Sequence, residues 1–168
     1  MDTSIIRITE EAQIRTAAEL AQTVWHQTYD TLLPAGQVNY MLEAFQSVPA
    51  IHRQLETEGY QYYLLTDQET PVGFFAVIPA HKTEDELFLS KIYLLPSSHG
   101  KGIARRAFAF LEELAVKGRF RKIWLTVSKE NKHAQEVYRH FGFTVREAVV
   151  IDIGGGYVMD DYVMEKSV

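Results

Sequence analysis

Two glycines and nearby basic residues in the stretch 96–106 could together bind a phosphate-like anion. An apolar strand runs into a proline, and a short loop with Gly100 and Gly102 follows. Glycine has no Cβ, so its backbone N–H group can approach a bulky anion closely. An amphipathic helix begins after the loop, and the first turn of a helix has unpaired N–H groups and the positive end of a dipole. The basic residues are Lys101, Arg105 and Arg106. The stretch therefore predicts an anion site of phosphate size.

The spacing of these glycines excludes two well-known phosphate loops. The P-loop begins with a glycine where Leu95 stands, and it needs Ser or Thr where Gly102 follows Lys101. The dinucleotide-binding pattern Gly-x-Gly-x-x-Gly has Arg105 in place of its third glycine. On this stretch alone, a tight turn between strand and helix remains an equally good explanation of the glycines.

A second group of polar residues follows a later strand that ends in Val127-Ser128. Asn131 and Tyr138 are seven residues apart, which is two helical turns, so both can lie along one face of a helix. Taken alone, Asn131 could be a helix N-cap and Tyr138 a core aromatic. Their coincidence with the upstream glycine loop favours a shared site.

The elements that must position these residues alternate between strands and helices, in the order β-α-α-α-β-β-β-α-β-α-β-β. The predicted strands are 4–9, 60–67, 72–79, 87–95, 121–128, 143–153 and 157–166. We expect Thr9 to cap the first helix, with Glu10 and Glu11 in its first turn. Further helices are predicted to begin near Pro34 and Ser47 and to span 103–117 and 132–140. No internal repeat or linker interrupts this order.

Composition narrows the function classes. A chain of 168 residues with 46% hydrophobic residues is sufficient for one packed domain. The net charge of −5 argues against a general nucleic-acid binder, and the absence of cysteine excludes disulfides and thiol nucleophiles. No apolar run approaches the roughly 18 residues of a membrane helix, and no signal peptide is apparent, so we expect a cytoplasmic protein without membrane association. The six histidines form no metal-binding pattern, and we expect no metal.

The chain resembles the GNAT family of acetyl-CoA-dependent N-acetyltransferases over roughly 65–166. The family loop, Gln/Arg-x-x-Gly-x-Gly/Ala, is matched by Ser97 to Gly102, although Ser97 departs from the usual Gln or Arg. The second family block is matched by Asn131, Ala134, Tyr138, Gly142 and Phe143. The runs 124–134 and 25–29 are more loosely similar to the bacterial polyamine acetyltransferase branch. The resemblance implies a single domain over 1–168 with an α/β fold. Its twisted sheet is expected to be mixed but mostly antiparallel, with about seven strands and with helices on its faces. The sheet is expected to be splayed where the cofactor enters.

The resemblance also implies a role for each matching residue. The amides from His99 to Ala104, with Arg105, would hold the pyrophosphate of coenzyme A, and the backbone of 92–94 would pair with the pantetheine arm. Asn131 would bind the pantetheine amides. The implied catalytic residues are Tyr138, which would protonate the departing thiolate, and Leu94, whose N–H would stabilise the oxyanion. The implied cofactor contacts are Ile92, Tyr93, Leu94, His99, Gly100, Lys101, Gly102, Ile103, Ala104, Arg105, Asn131 and Tyr138.

The expected reaction is direct acetyl transfer from acetyl-CoA to an amine. A primary amine has a pKa of about 10.4, so it must lose a proton before it attacks a thioester. The sequence does not identify the base; the acidic residues considered are Glu84, Asp85, Glu86, Asp152, Asp160 and Asp161. A surface position is the more ordinary explanation for each of them. The aromatic-rich set Trp25, His26, Tyr29 and Tyr40 could pack in the core or form the wall of an acceptor pocket.

The acceptor stays open between a small polyamine-like cation, a peptide or protein amino group, and other small amines. Two functions of another class also stay open: an acyl-CoA-binding sensor that needs the glycine loop but not Tyr138, and an interaction module that binds no coenzyme A. The oligomeric state is not fixed by the sequence, which leaves a homodimer open.

Overall fold

A computed structural model describes residues 2–168, so of the predicted domain only Met1 lies outside the described residues. The chain forms seven strands and five α-helices in the predicted order. The strands are β1 Thr3–Arg7, β2 Gln61–Asp67, β3 Thr70–Pro79, β4 Glu86–Leu94, β5 Lys122–Ser128, β6 Thr144–Gly154 and β7 Tyr157–Ser167. The helices are α1 Glu11–Tyr29, α2 Ala35–Gln46, α3 Val48–Thr57, α4 Ile103–Lys117 and α5 Lys132–His140. This confirms the predicted α/β class.

The strands form one sheet in the order β1-β2-β3-β4-β5-β7-β6. Every neighbouring pair is antiparallel except β4 and β5, which are parallel. These two strands pair only over Glu86–Phe88 and Lys122–Trp124, so they separate towards their carboxyl ends. The β3–β4 register shifts at Ser90, which has no partner on β3 and therefore forms a bulge. A β-bulge bends the strand that contains it. The predicted splay of the sheet therefore lies between β4 and β5.

Helices cover both faces of the sheet. Adjacent strand residues point to opposite faces, and apolar residues at successive positions give each face a surface that must be covered. Phe75, Leu89 and Leu125 pack on one face with α4 residues such as Leu111. Phe74 and Tyr62 lie on the other face and pack with α1, α2 and α3. Phe74 and Phe75 are both fully buried, so the sheet is a central layer between two helical layers.

Two local predictions about turns need correction. Glu10, not Thr9, is the N-cap of α1, because the Gln13 side chain accepts the backbone N–H groups of both Thr9 and Glu10 and closes a capping box. The β2–β3 loop is also tighter than predicted. Gln68 and Glu69 both have positive φ, which is the two-residue hairpin geometry that matches strand twist, so β3 begins at Thr70.

Within residues 2–168, none of the helices combines the length and the apolar character needed to cross a bilayer.

Candidate active site

A cleft of about 770 Å³ opens where β4 and β5 separate, a volume typical of small-molecule and cofactor sites. The elements that line it include α1, α2, α3, β2, β4, the loop before α4, the start of α4, the end of β5, α5, and the β6–β7 hairpin. The glycine loop and the Asn131–Tyr138 helix therefore meet at one site, as their spacing predicted.

The glycine loop presents a row of free amides. Gly100 and Gly102 have φ of +78° and +80°, a left-handed conformation that side-chain-bearing residues rarely adopt. The first α-helical bond of α4 runs from the Arg106 N–H to the Gly102 carbonyl. Within residues 2–168, the backbone N–H groups from Gly100 to Arg105 have no hydrogen-bond acceptor. Six consecutive unpaired amides at a helix start suit a pyrophosphate.

Two of the predicted loop residues contribute differently from expectation. The His99 amide is not free, because it donates to the Pro96 carbonyl at 3.1 Å, while the His99 ring lies 3.2 Å from the Leu94 carbonyl. The Ile103 side chain is buried in the core against the sheet, and its amide, which was the predicted contact, has no hydrogen-bond acceptor within residues 2–168. Lys101 does not line the cleft and instead approaches Asp67 at 4.0 Å. Arg105 and Ala104 do line it.

The open edge of β4 is fixed by its register with β3. The Leu95 N–H donates to the Val72 carbonyl, so these two register partners form a hydrogen-bonded pair. Such pairs alternate with non-hydrogen-bonded pairs along an antiparallel ladder, so the next pair, Gly73 and Leu94, is not hydrogen-bonded. Backbone groups therefore point towards β3 at Tyr93 and away from it at Ile92 and Leu94. Only Ile92 and Leu94 can pair with a ligand in the splay, which corrects the prediction for the Tyr93 backbone. The Tyr93 side chain still lines the cleft, on its other side.

Asn131 performs a capping role and also faces the site. Its side-chain carbonyl accepts from the Ala134 N–H at 3.1 Å, which makes it the N-cap of α5. Its amide nitrogen donates to the Tyr29 hydroxyl at 3.0 Å, across the cleft from α5 to α1. The two explanations considered from sequence therefore both apply.

Tyr138 lies two turns further along α5, half-buried and lining the cleft. Burial raises its pKa above the ordinary phenol value, and the nearby Tyr29 raises it further. Tyr138 is therefore a neutral phenol at physiological pH and keeps a proton to donate.

An aromatic wall faces α5 from the other side of the cleft. The Trp25 and Tyr29 rings are 4.5 Å apart, and Trp25 meets Tyr93 edge-on at 6.1 Å. Both α1 aromatics are buried and also line the cleft, so they serve the core and the wall together. Tyr40 instead donates its hydroxyl to the Ile153 carbonyl, and His26 pairs with Asp30 near the surface.

Most of the acidic residues considered from the sequence lie outside the cleft. Asp85 pairs with Arg121, and buried Glu86 pairs with Arg121 and Arg146, at the end of β4 opposite to the glycine loop. The remaining acidic residues outside the cleft are Glu84, which is exposed, Asp152, which accepts from the Gly154 amide, and Asp160, which binds Lys129. Asp161 alone of the set lines the cleft, and it is only 5% exposed. The expectation of a surface position is wrong for Asp161 and Glu86.

Among the cleft residues that sequence reasoning missed, Lys91 is both charged and buried. Its side chain is buried, and its ammonium donates to the Phe45 carbonyl and to the side chains of Gln46 and Gln54. Burial lowers the pKa of Lys91 to about 7. The one available signal was a lysine within the apolar strand Leu-Phe-Leu-Ser-Lys-Ile-Tyr-Leu.

Comparison with known sequences identifies relatives over part of the chain. An uncharacterised N-acetyltransferase of Mycobacterium tuberculosis is 32% identical over 93 residues, which are 55% of this chain and 58% of that protein. An uncharacterised N-acetyltransferase of Escherichia coli, YjgM, is 29% identical over 86 residues, 51% of this chain and 52% of that protein. The matches thus span little more than half the length of these relatives.

Solved structures share the whole fold at low sequence identity. The PaiA N-acetyltransferase from Thermoplasma acidophilum, in complex with coenzyme A, matches all of both chains with a TM-score of 0.80 and 21% identity. A spermidine N-acetyltransferase from Vibrio cholerae, in complex with CoA and spermine, matches 98% of this chain and 95% of its own with a TM-score of 0.68 and 18% identity.

The family model described as the acetyltransferase (GNAT) family matches residues 25–143, well over half of the chain. The matched region contains the glycine loop, the open strand edge and both α5 residues. The chain belongs to the GNAT acetyltransferase family.

Proposed function

We propose that the protein transfers the acetyl group of acetyl-CoA directly to a primary amine. The observation that carries the proposal is the continuity of free backbone groups. Within residues 2–168, six unpaired amides, from Gly100 to Arg105, lead to the β4 edge that faces away from β3, at the Leu94 N–H and the Ile92 backbone. An anionic pyrophosphate suits the amides, and an amide-bearing pantetheine arm can add to the strand edge.

The chain's own residues then account for the chemistry at the thioester. The Leu94 N–H points into the splay and can stabilise the oxyanion that forms when an amine attacks. Tyr138 is a neutral phenol in the cleft and can donate its proton to the departing thiolate. Asn131 lines the same cleft and donates to the Tyr29 hydroxyl, and its amide can also bind the pantetheine arm. No covalent enzyme intermediate is needed.

We use the term cofactor half for residues 92–105 with Asn131 and Tyr138, and acceptor half for the opposite wall. The acceptor half contains the side chains of Trp25, Tyr29, Lys91 and Asp161. Aromatic faces and a carboxylate suit a cationic amine. A polyamine-like acceptor is our first choice, and the shared fold with the Vibrio cholerae spermidine N-acetyltransferase supports it. A peptide or protein amino group is the second choice.

We assign this function to one N-acetyltransferase domain over 1–168. The matched family region ends at residue 143, but the acceptor half also needs β7 for Asp161. The single sheet carries β1 at one edge and β6 at the other. The segments outside the matched region thus contribute to the same site and the same sheet.

The first test is thermal stabilisation by acetyl-CoA, with free CoA and ATP as controls. A ligand at 100 times its dissociation constant adds about 2.7 kcal/mol, which is a melting shift of roughly 5–10 °C for a chain of this size. We expect acetyl-CoA and CoA to stabilise the protein and ATP not to. Thiol release is then measured with spermidine, a monoamine and a lysine-containing peptide.

Each alternative function gives a different result in this test. Stabilisation without thiol release from any amine indicates an acyl-CoA sensor. The absence of any shift with acetyl-CoA or CoA indicates an interaction module and overturns the proposal.

A further inference from the structure

We propose that Asp161 binds the ammonium group of the acceptor in the cleft and removes its proton before the nitrogen attacks. This inference rests on the proposed acetyl transfer and adds the base that the sequence did not identify. Its basis is the position of Asp161, the state of its two oxygens, and the way that neighbouring charges are already paired.

Asp161 occupies an interior strand, where a charged side chain is unusual. It lies on β7, opposite Ser128 of β5 and Val149 of β6. It lines the cleft at the carboxyl end of β5, where β5 has moved away from β4. The acetyl group of a bound thioester lies in this region if Leu94 holds its oxygen.

The carboxylate of Asp161 is incompletely satisfied. Within residues 2–168, its Oδ1 atom is buried and has no hydrogen-bond partner. A buried charge without a partner is costly, and native structures rarely retain one without a function. An ammonium group donates up to three hydrogen bonds and is the natural missing partner.

The charged and titratable groups around Asp161 do not supply this partner. Lys129, from the loop before α5, binds Asp160 at 2.9 Å instead. Asp160 and Lys129 affect the pKa of Asp161 through the electrostatic field and not through a hydrogen bond. The Tyr29 hydroxyl on α1 is close enough to Asp161 for the carboxylate to raise the tyrosine pKa. The Thr126 side chain on β5 acts in the opposite direction to burial and lowers the pKa of Asp161. Among residues 2–168, no cation forms an ion pair with Asp161.

The protonation equilibria of the cleft suit proton transfer from an amine. Burial, with a smaller contribution from Asp160, raises the pKa of Asp161 to about 6. The protein's own amine in this cleft, Lys91, has its pKa lowered by burial to about 7. Burial in the same cleft lowers the pKa of an acceptor amine from its usual value of about 10.4, while the ion pair with Asp161 raises it. Burial thus acts to bring the pKa values of the amine and of Asp161 together, which favours proton transfer to a general base.

Lys91 and Glu136 are the other charged cleft residues nearest to this role, and neither fits it. Lys91 is a donor whose ammonium already reaches three oxygen atoms. Glu136 lines the cleft from α5, but it is exposed on the cofactor half. Asp161 is the buried carboxylate on the acceptor half.

The complete step balances as follows. One proton moves from the acceptor nitrogen to Asp161, and the freed lone pair forms a C–N bond with the thioester carbon. The C–S bond then breaks, and the departing thiolate takes the proton of the Tyr138 hydroxyl. The nitrogen loses its second proton to solvent, and Tyr138 regains a proton from solvent. Asp161 releases its proton to solvent before the next turnover. The products are an N-acetyl amine, CoA thiol and one proton.

The test compares Asp161→Asn with Asp160→Asn, which removes a neighbouring carboxylate that does not line the cleft. The readout is the pH profile of kcat/KM from pH 5 to 9. In the wild type, we expect kcat/KM to rise with pH through about 6, because Asp161 must be ionised. In Asp161→Asn, we expect a loss of about 10²–10⁴-fold and no rise near pH 6. Asp160→Asn should keep its plateau activity within about three-fold, with the rise moved to lower pH.

A stability measurement separates catalysis from folding. The pKa of Asp161 is higher in the folded protein, at about 6, than the roughly 3.9 of an unfolded chain, so the folded state binds this proton more tightly. The group therefore favours folding at low pH and loses that contribution as pH rises through about 4 to 6. We expect Asp161→Asn to melt above the wild type at pH 8, with a smaller difference at pH 5.

Three results would overturn the inference. An Asp161→Asn variant with wild-type activity and an intact rise near pH 6 excludes Asp161 as the base. A variant that melts below the wild type at pH 8 shows that the carboxylate has a stabilising partner within the protein. If the wild type itself acetylates no amine, the proposed function fails, and this inference fails with it.

Discussion

The two halves of the cleft are built from different atoms and from different distances along the chain. In the cofactor half, backbone groups within the fourteen consecutive residues 92–105 provide most of the binding surface, and the side chains of Asn131 and Tyr138 complete it. In the acceptor half, side chains from α1, β4 and β7 provide it, and Tyr29 and Asp161 are separated by more than a hundred residues.

This difference has a consequence for what each half can tolerate. A backbone site depends on φ and ψ, so side chains in the loop can vary as long as the glycines remain. Ser97, where the family has Gln or Arg, is exposed and does not line the cleft. A side-chain site changes its chemistry with every substitution, so acceptor choice resides in Trp25, Tyr29 and Asp161.

The largest expected effect is at Tyr138, where the two halves meet. Tyr138→Phe keeps the ring against Phe108 but removes the proton that the departing thiolate needs. We expect kcat to fall by about 10²–10⁴-fold, while acetyl-CoA affinity changes by about ten-fold at most, since one neutral hydrogen bond is worth only about 0.5–1.5 kcal/mol. Steady-state kinetics and a binding titration measure the two quantities.

Tyr63→Phe is the matched control, because Tyr63 is a buried tyrosine on β2 that does not line the cleft. It should leave kcat unchanged. A Tyr138→Phe variant with normal kcat but weak acetyl-CoA binding would place Tyr138 in the cofactor half alone and remove it as the acid.

The contrast between the halves also explains how far sequence reasoning reached. Gly100 and Gly102 need left-handed backbone, and Asn131 and Tyr138 are two helical turns apart. Both constraints operate within a few residues, so each stretch could be recognised as a candidate from its spacing, and the family resemblance implied the roles. The alternation of strands and helices predicted the element order for the same reason.

The parts that sequence reasoning missed depend on contacts between distant segments. The burial of Asp161 follows from its strand lying between β5 and β6, which no local pattern reveals. The direction of the Tyr93 backbone follows from the β3–β4 register, and the lost His99 amide from a turn closed on Pro96. Tertiary pairing, rather than local propensity, decides each of these cases.

A smaller effect is expected from the backbone of the cofactor half. Gly102→Ala places a side chain at φ +80°, and a left-handed conformation costs an ordinary residue about 1–2 kcal/mol. If the loop relaxes to relieve that cost, the amides lose their alignment, and we expect the Kd for acetyl-CoA to rise roughly 5–30-fold. The KM for the amine, measured at saturating acetyl-CoA, should stay nearly constant.

Ser97→Ala tests the same region without touching the backbone. We expect its Kd for acetyl-CoA to change by less than about two-fold, because an exposed surface substitution usually has a small effect. If Ser97→Ala weakens binding as much as Gly102→Ala, the cofactor half depends on side chains, and the contrast between the halves disappears.

The smallest effect is expected at Tyr40, which connects α2 to the β6–β7 hairpin on the acceptor side. Its hydroxyl donates to the Ile153 carbonyl at 2.9 Å, and its ring packs against Gly154 and Gly155, where a Cβ has no room. Tyr40→Phe removes one hydrogen bond worth about 0.5–1.5 kcal/mol, so we expect the amine KM to rise about two- to ten-fold. Acetyl-CoA affinity should be unchanged, as it should be in the exposed α2 control Asn39→Ala. If Tyr40→Phe weakened the binding of the amine and of acetyl-CoA equally, the hairpin would support the entire cleft. The two halves would then depend on each other and would not be separable sites.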